Sequence, residues 1–224
     1  MDARRFLAMD TATEACSVAV STADGVQEEF VVAANGHSQL LLPMIKRVLD
    51  RAGITLADIE AIACGVGPGG FTGVRIGVST TQALAMARGL PVYPVSSLQA
   101  LAATVPQPQM LAALDARMGE VYAGVFCQDA QGIPQLQGTE KVCVPDAVDW
   151  PAAGQWWGLG TGWQAYHACW QGAGILGWSG DSLPRAEAVL RLAQVRYQAG
   201  DCGISPISLE PHYIRPSLPE EQQK

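Results

Sequence analysis

Phe6-Leu7-Ala8-Met9-Asp10, with the alternating Cys16-Ser17-Val18-Ala19-Val20-Ser21 behind it, decides the fold. The first run is short, apolar and stopped by a carboxylate; the second has the two-residue period of a strand. The Asp24-Gly25 turn leads to a third strand through Phe30-Val31-Val32. The pattern then restarts, because Asp115 falls under Asp10 and Asp129 under Asp24, both 105 residues on, and each pair encloses an apolar strand. A duplicated unit accounts for this.

Working outward, Leu40, Leu41, Met44, Ile45, Val48 and Leu49 recur at helical spacing, which predicts a helix from His37 to Ala52 stopped by Gly53. A buried strand from Ile59 to Val66, a glycine-rich loop, a helix from Val74 to Arg88, a strand Val92 to Val95 and a helix Ser97 to Thr104 complete a βββαβαβα unit. Val105-Pro106-Gln107-Pro108-Gln109 reads as a linker, since two prolines one residue apart favour an extended path. The lobes are therefore expected at 1–105 and 106–215, with a tail at 216–224. The second lobe is less regular: strands at Gly119 to Cys127 and Lys141 to Val144, with Pro184 to Ala199 as its clearest helix. The chain from Pro211 onward is expected to fray.

The 224 residues are 49% hydrophobic and 16% charged, enough apolar material for a buried core. The net charge of −7 repels a phosphate backbone, so autonomous nucleic-acid binding is not expected. Asp10 and Glu14 interrupt the early apolar stretch before a signal sequence is complete, and no apolar run reaches the length of a membrane span. Six scattered cysteines without a C-x-x-C pair predict buried thiols in a reducing cytoplasm.

The strongest local motif is Gly65-Val66-Gly67-Pro68-Gly69-Gly70-Phe71-Thr72-Gly73-Val74-Arg75. It satisfies G-x-G-x-x-G, but a dinucleotide site needs an acidic residue about 20 positions on. None occurs between Glu60 and Asp115, and no Gly-Lys-Ser/Thr makes it a Walker loop. Two readings stay open. The glycines permit close backbone approach while Thr72 caps the next helix, or free amides with Arg75 form an anion or partner site. Arg75 and Arg88 are the only charges from 61 to 114.

His37 has Leu40 and Leu41 where a helical metal pair needs its second ligand, so it reads as a helix-start residue. Ser96-Ser97 lacks a G-x-S-x-G context. Asp10 and Asp115 end the first strands of the two units and are expected to face each other across a cleft, where paired carboxylates can hold Mg²⁺ near a nucleotide. The bulky Asp115-Ala116-Arg117-Met118-Gly119-Glu120 segment replaces the glycines of a phosphate hairpin, so this cofactor site, with Asp10 and Thr11, reads as vestigial. The six tryptophans, all between Trp150 and Trp178, read as interior packing.

Several segments together resemble the bacterial TsaB (YeaZ) family of tRNA-modification proteins. They are Leu7 to Thr13, His37-Ser38-Gln39-Leu40-Leu41-Leu42-Pro43, Gly67 to Gly77, Val95-Ser96-Ser97-Leu98, Asp115 to Tyr122, and Pro211-His212-Tyr213-Ile214-Arg215. The Gly-Pro-Gly-x-Phe-Thr-Gly-x-Arg block is the most specific; Gly70 stands where the family often has Ser. The resemblance implies an α/β, actin-like fold (sugar kinase/Hsp70 type) of two ribonuclease-H-like lobes. It implies a non-catalytic, cytoplasmic scaffold for threonylcarbamoyladenosine formation beside the anticodon of tRNAs reading ANN codons. The sister protein TsaD performs the transfer and TsaE assists, so ATP or ADP and metal belong to those partners. No cofactor is expected for this chain alone, tRNA is reached only through the complex, and the isolated chain is expected to dimerise. TsaD carries a His-x-x-x-His metal motif whose positions here match Ser97 and Leu101. The alternatives are an ATP-dependent small-molecule kinase or ATPase of the same fold using Asp10, and a metalloprotease.

The expected partner surface has two parts. Leu41, Ile45, Val48 and Leu49 fill a core stripe about 100° wide, which leaves Leu40 and Met44 as an apolar ridge on a second flank. After Arg75, the small residues Gly77, Ser79, Ala83 and Ala87 let another helix approach closely.

Overall fold

The computed structural model describes residues 4–33, 35–170 and 174–215. The first unit holds strands β1 (Phe6–Asp10), β2 (Ala15–Thr22), β3 (Gly25–Val32), β4 (Ala61–Gly65) and β5 (Val92–Val95), with helices α1 (His37–Arg51), α2 (Phe71–Arg88) and α3 (Ser97–Ala102). The second holds β6 (Gln109–Arg117), β7 (Glu120–Gln128), β8 (Pro134–Leu136), β9 (Lys141–Cys143), β10 (Trp156–Leu159) and β11 (Ile175–Ser179), with α4 (Thr161–Tyr166) and then α5 (Ala186–Gln198).

The first sheet is ordered β3-β2-β1-β4-β5, with an antiparallel β1-β2-β3 meander and β4 and β5 parallel to β1. The second is ordered β11-β10-β6-β7-β8, antiparallel from β6 to β8 and parallel from β6 through β10 to β11. Matching β1 with β6, β2 with β7, β3 with β8, β4 with β10 and β5 with β11 superposes the two topologies, so the duplication read from the aspartates is a duplication of fold. Two mixed sheets with helices make the molecule an α/β protein of two ribonuclease-H-like lobes in the actin-like arrangement.

Both faces of the first sheet are buried. Leu7, Met9, Val18, Val20, Ile62 and Cys64 point to α1 and α2. On the opposite face Phe6, Ala8, Ala19, Ala61 and Ala63 meet α5, and the short alanine side chains let that helix lie close. α5 therefore packs on the first sheet although its sequence lies in the second half. α3 does the reverse: Leu98, Leu101 and Ala102 pack with Met110, Ala112 and Leu114 of β6 and with Phe126. Each unit thus lends its last helix to the other's sheet, which ties the two together.

Several sequence expectations need correcting. α2 begins at Phe71 with Gly70 as its cap, so Thr72 lies inside the first turn and caps nothing. Met44 is fully buried, because α1 packs against β2, β3 and α2 together and its buried arc widens to take Met44 with Leu41, Ile45 and Val48. Leu40 is half-buried on the same core, while Leu42 is 56% exposed. Only Cys16 and Cys64 are buried; Cys127 and Cys143 are intermediate, and Cys169 and Cys202 are exposed. Burial pushes the Cys16 thiol up to about 11 and the Cys64 thiol up to about 12. Residues 211–215 are tied down by hydrogen bonds, and the tail 216–224 lies outside the described residues. Trp150, Trp163 and Trp170 pack on one another with ring centroids 4.9–6.0 Å apart, filling the outer layer of the second sheet. Among the described residues no helix is long and apolar enough to cross a membrane.

Candidate functional site

The glycine loop between β4 and α2 is pressed against the turn that follows β1. A Cβ at Gly65 would stand 1.8 Å from Asp10 Oδ2, one at Gly69 2.2 Å from the Ala12 carbonyl oxygen, and one at Gly73 2.1 Å from the Thr11 carbonyl oxygen. At Gly77 it would stand 2.6 Å from Thr11 Oγ1. These glycines serve close approach. Thr11, fully buried, donates from Oγ1 to the Gly73 carbonyl at 2.7 Å, and the Gly70 amide donates to the Ala12 carbonyl at 2.7 Å. Gly77 is consumed by this internal contact and leaves the expected partner face.

Asp10 lies beneath the loop. Its carboxylate accepts from the Ala12 amide at 2.9 Å and from Ser97 Oγ at 2.8 Å, and Ser97 Oγ in turn accepts from the Gly67 amide at 3.2 Å. Asp10 thus joins β1, the glycine loop and the start of α3. It does not face Asp115 across the cleft: it is 2% exposed, whereas the Asp115 carboxylate accepts from the Arg117 amide at 2.9 Å and lies 3.3 Å from Arg117 Nη1. Met118 and Gly119 turn the β6–β7 hairpin with φ of 57° and 76° after Arg117 at 63°, so bulk and charge occupy the tip. Neither carboxylate is free, and the residues at the cleft do not fit a metal-nucleotide group held between two aspartates.

Burial raises the Asp10 carboxyl above its ordinary range, against the opposing effects of its Ala12 and Ser97 hydrogen bonds and nearby His37. The folded chain then binds this proton more tightly than the unfolded chain. The associated stability is present below the unfolded carboxyl value and lost as pH rises through the raised one. Asp10→Asn removes this linkage. In thermal melts between about pH 4 and pH 8, the melting temperature of the variant minus that of the wild type is expected to increase with pH. Parallel curves would show that Asp10 does not titrate in this way.

Between the units lies a cleft of ≈ 1080 Å³, lined by Thr13, His37, Phe71 and Arg75 from one side and by Asp115, Arg117, Tyr122 and Thr161 from the other. His37 opens α1, and its Nε2 lies 2.9 Å from the Thr13 carbonyl oxygen and 3.2 Å from that of Ala15. Two acceptors require the proton on Nε2, so His37 pins the turn after β1. The Arg75 guanidinium lies 3.5 Å from the Phe71 ring centroid, and its Nε donates to the Tyr213 hydroxyl at 2.7 Å. Arg75 is thereby placed by aromatic groups at the cleft mouth. Below it, α2 exposes Ser79, Ala83 and Ala87 together with Met86, which is 58% exposed, while Val74, Val78, Thr81 and Ala85 face inward.

The model of the family TsaD, tRNA N6-adenosine threonylcarbamoyltransferase, matches residues 22–158. The tRNA threonylcarbamoyladenosine biosynthesis protein TsaB of Escherichia coli is 40% identical over 219 residues, covering 94% of each chain. The chain belongs to the TsaB family. The solved structure of YeaZ from Pseudomonas aeruginosa matches with a TM-score of 0.87 at 40% identity, over 94% of this chain and 99% of the other. A second structure, described as an uncharacterized protein with similarity to the peptidase YeaZ of that organism, gives 0.88 at 40% identity over 95% and 100%. The sequence reading missed the network that unites the TsaB-family segments here. Leu7–Thr13, His37, Gly67–Gly77 and Ser97 form one contact set around Asp10 and Thr11, and the clustering of glycines after β4 was its sequence signal.

Proposed function

We propose that this chain serves threonylcarbamoyladenosine formation as the non-catalytic subunit that binds TsaD, with TsaE completing the assembly, in the cytoplasm. The observation that carries this reading is the 40% identity to a TsaB over 94% of the chain, a name that ties the relative to this pathway. The site geometry supports the non-catalytic part. Ser97, at the first of the two positions that match the metal motif of TsaD, is bonded to Asp10, and Leu101, at the second, is fully buried in the core under α3. Both side chains serve the fold, and neither provides an imidazole. The cap of α3 does not favour the peptidase reading that one solved relative's description raises, since Ser96 Oγ donates to Glu140 and accepts from the Leu98 and Gln99 amides.

The partner surface on this reading is the outward face of α2 with Arg75, Ala83 and Ala87 and the neighbouring Met86. Met44 and Gly77 take no part in it, and Leu40 contributes at most the exposed half of its side chain. The same face pairs two copies when the chain is alone, which makes the homodimer and the TsaD complex mutually exclusive. The chain needs no cofactor of its own, and tRNA is reached through the complex.

Reconstitution tests this. The chain, TsaD and TsaE are mixed with tRNA and a threonylcarbamoyl-adenylate donor, and modified adenosine is followed by mass spectrometry. The complete mixture is expected to modify tRNA, omission of the chain to lower the yield strongly, and the chain alone to give none. Modified adenosine formed by the chain alone, or failure to co-elute with TsaD, would overturn the proposal.

A further inference from the structure

The segment Ile204–Arg215 contains the Pro211-His212-Tyr213-Ile214-Arg215 motif, which the scaffold role leaves without an assignment. It begins on the first unit, where Ile204 exchanges backbone hydrogen bonds with Val92 of β5 at 2.8 and 3.0 Å. It crosses α2, with Leu209 buried and its carbonyl accepting from Gln82 Nε2 at 3.0 Å. It then reaches the glycine loop, where the His212 amide donates to the Val66 carbonyl at 2.8 Å.

From that point its side chains hold the second unit. His212 Nε2 lies 3.2 Å from Glu140 Oε2, and the Glu140 side chain is only 5% exposed. The other Glu140 oxygen accepts from Ser96 Oγ at the cap of α3, so one buried carboxylate joins the second unit, α3 and this segment. Arg215 Nη2 lies 2.5 Å from Glu120 Oε2 at the start of β7 and donates to the Ala116 carbonyl at 3.2 Å. Two charged or polar anchors thus sit on the second unit on either side of Tyr213, whose ring lies 6.3 Å from Phe71 and whose hydroxyl accepts from Arg75.

We propose that residues 204–215 form a strap that sets the angle between the two units, latched on the second unit by His212 on Glu140 and by Arg215 on the β6–β7 hairpin, with Tyr213 linking that angle to Arg75 at the start of α2. Hinge motion between two packed units is the default unless contacts oppose it. The strap supplies contacts that cross the cleft mouth, so releasing it frees the units to separate there. This holds whether or not the chain binds TsaD.

The test is a distance measurement by pulsed electron resonance on the whole chain. Spin labels are carried by non-natural residues, because the exposed Cys169 and Cys202 exclude thiol labelling. One label replaces Gln39 on α1 and the other Ala165 on α4, both exposed and both on helices that border the cleft. In His212→Ala with Arg215→Ala the distance distribution is expected to broaden and its mean to lengthen. The backbone amide of residue 212 is expected to lose about tenfold or more of its protection from hydrogen exchange, as the loss of the side-chain bonds that hold the strap implies. If the double variant loses its cooperative melt, Arg215→Ala alone, which leaves Glu140 satisfied, carries the same expectation. An unchanged distribution despite lost protection at residue 212 would show that the strap lets go without consequence. Unchanged protection would show that these side chains do not hold it. Either result overturns the proposal.

Discussion

Ala83→Glu combined with Ala87→Arg is expected to abolish both self-association and TsaD binding while leaving the monomer as stable as the wild-type monomer, compared at a concentration too low for the wild type to pair. The two alanines are exposed one helical turn apart on α2, so the new side chains meet water in the monomer and collide with nothing. A Glu four residues before an Arg forms a favourable helix pair worth a few tenths of a kcal/mol, and Arg near the helix end suits the dipole. Surface changes of this kind shift stability by less than about 0.5 kcal/mol. A helix–helix contact at a small-residue face is different, because close approach leaves no room for long side chains and their charges would be buried against a partner without matching groups. That costs about 3 kcal/mol or more, a loss of affinity of about a hundredfold or more. Analytical ultracentrifugation and co-elution with TsaD read the outcome, with circular dichroism melts as the folding control. Normal binding by a folded variant would move the interface away from α2. The equivalent change at Met44 cannot serve, because Met44 is fully buried and a charge there acts on the core.

Met44 also shows where sequence periodicity stops being informative. A stripe of about 100° describes a helix lying on one sheet, and on that assumption Leu41, Ile45, Val48 and Leu49 exhaust the buried positions. α1 lies in the angle between the sheet and α2, so its buried arc is wider. Nothing in its own fifteen residues states that it has two neighbours. The strands of the first unit were legible because alternation and turn residues are local, and the duplication because aspartates recur 105 residues apart along equivalent strands, although Asp10 ends β1 whereas Asp115 lies two residues before the end of β6. The exchange of α3 and α5 was not legible: the apolar residues of α5 specify a sheet to pack on, not which sheet. What selects the first sheet is the row of alanines on its far face, Ala8, Ala19, Ala61 and Ala63, and these are spread over 56 residues of sequence. Asp10 was misplaced for a related reason. Ending a strand predicts a carboxylate at the cleft, but Gly65 on the neighbouring strand lets the side chain fold inward to Ser97, a partner 87 residues away.

The close approach of the β1 turn to α2 gives the second large expected effect. Gly73→Ala should destabilise the chain by about 2 kcal/mol, although helix propensity alone predicts a gain. Gly73 is the third residue of α2 with ordinary helical backbone, where Ala is favoured over Gly by about 1 kcal/mol. The added Cβ would lie 2.1 Å from the Thr11 carbonyl oxygen and 3.3 Å from its carbon, a clash with backbone rather than with the end of a flexible side chain. That backbone has nowhere to go, since Thr11 is fully buried and Asp10 before it is held by Ala12 and Ser97. Relief requires α2 to shift, which strains the core and breaks the Thr11 to Gly73 hydrogen bond, together about 3 kcal/mol. Gly70→Ser is the matched control. It is exposed at the cap of the same helix, and its added Cβ would lie 3.6 Å from the nearest atom. A serine cap changes stability by only a few tenths of a kcal/mol in its favour. Urea denaturation of both variants separates the two uses of glycine in one loop. A loss at Gly73 with none at Gly70 means that the turn after β1 is clamped on α2, so that the segment carrying Asp10 and Thr11 and the helix carrying the proposed interface move as one body. Equal stability of Gly73→Ala and wild type would mean that the turn yields, and the clamp with it.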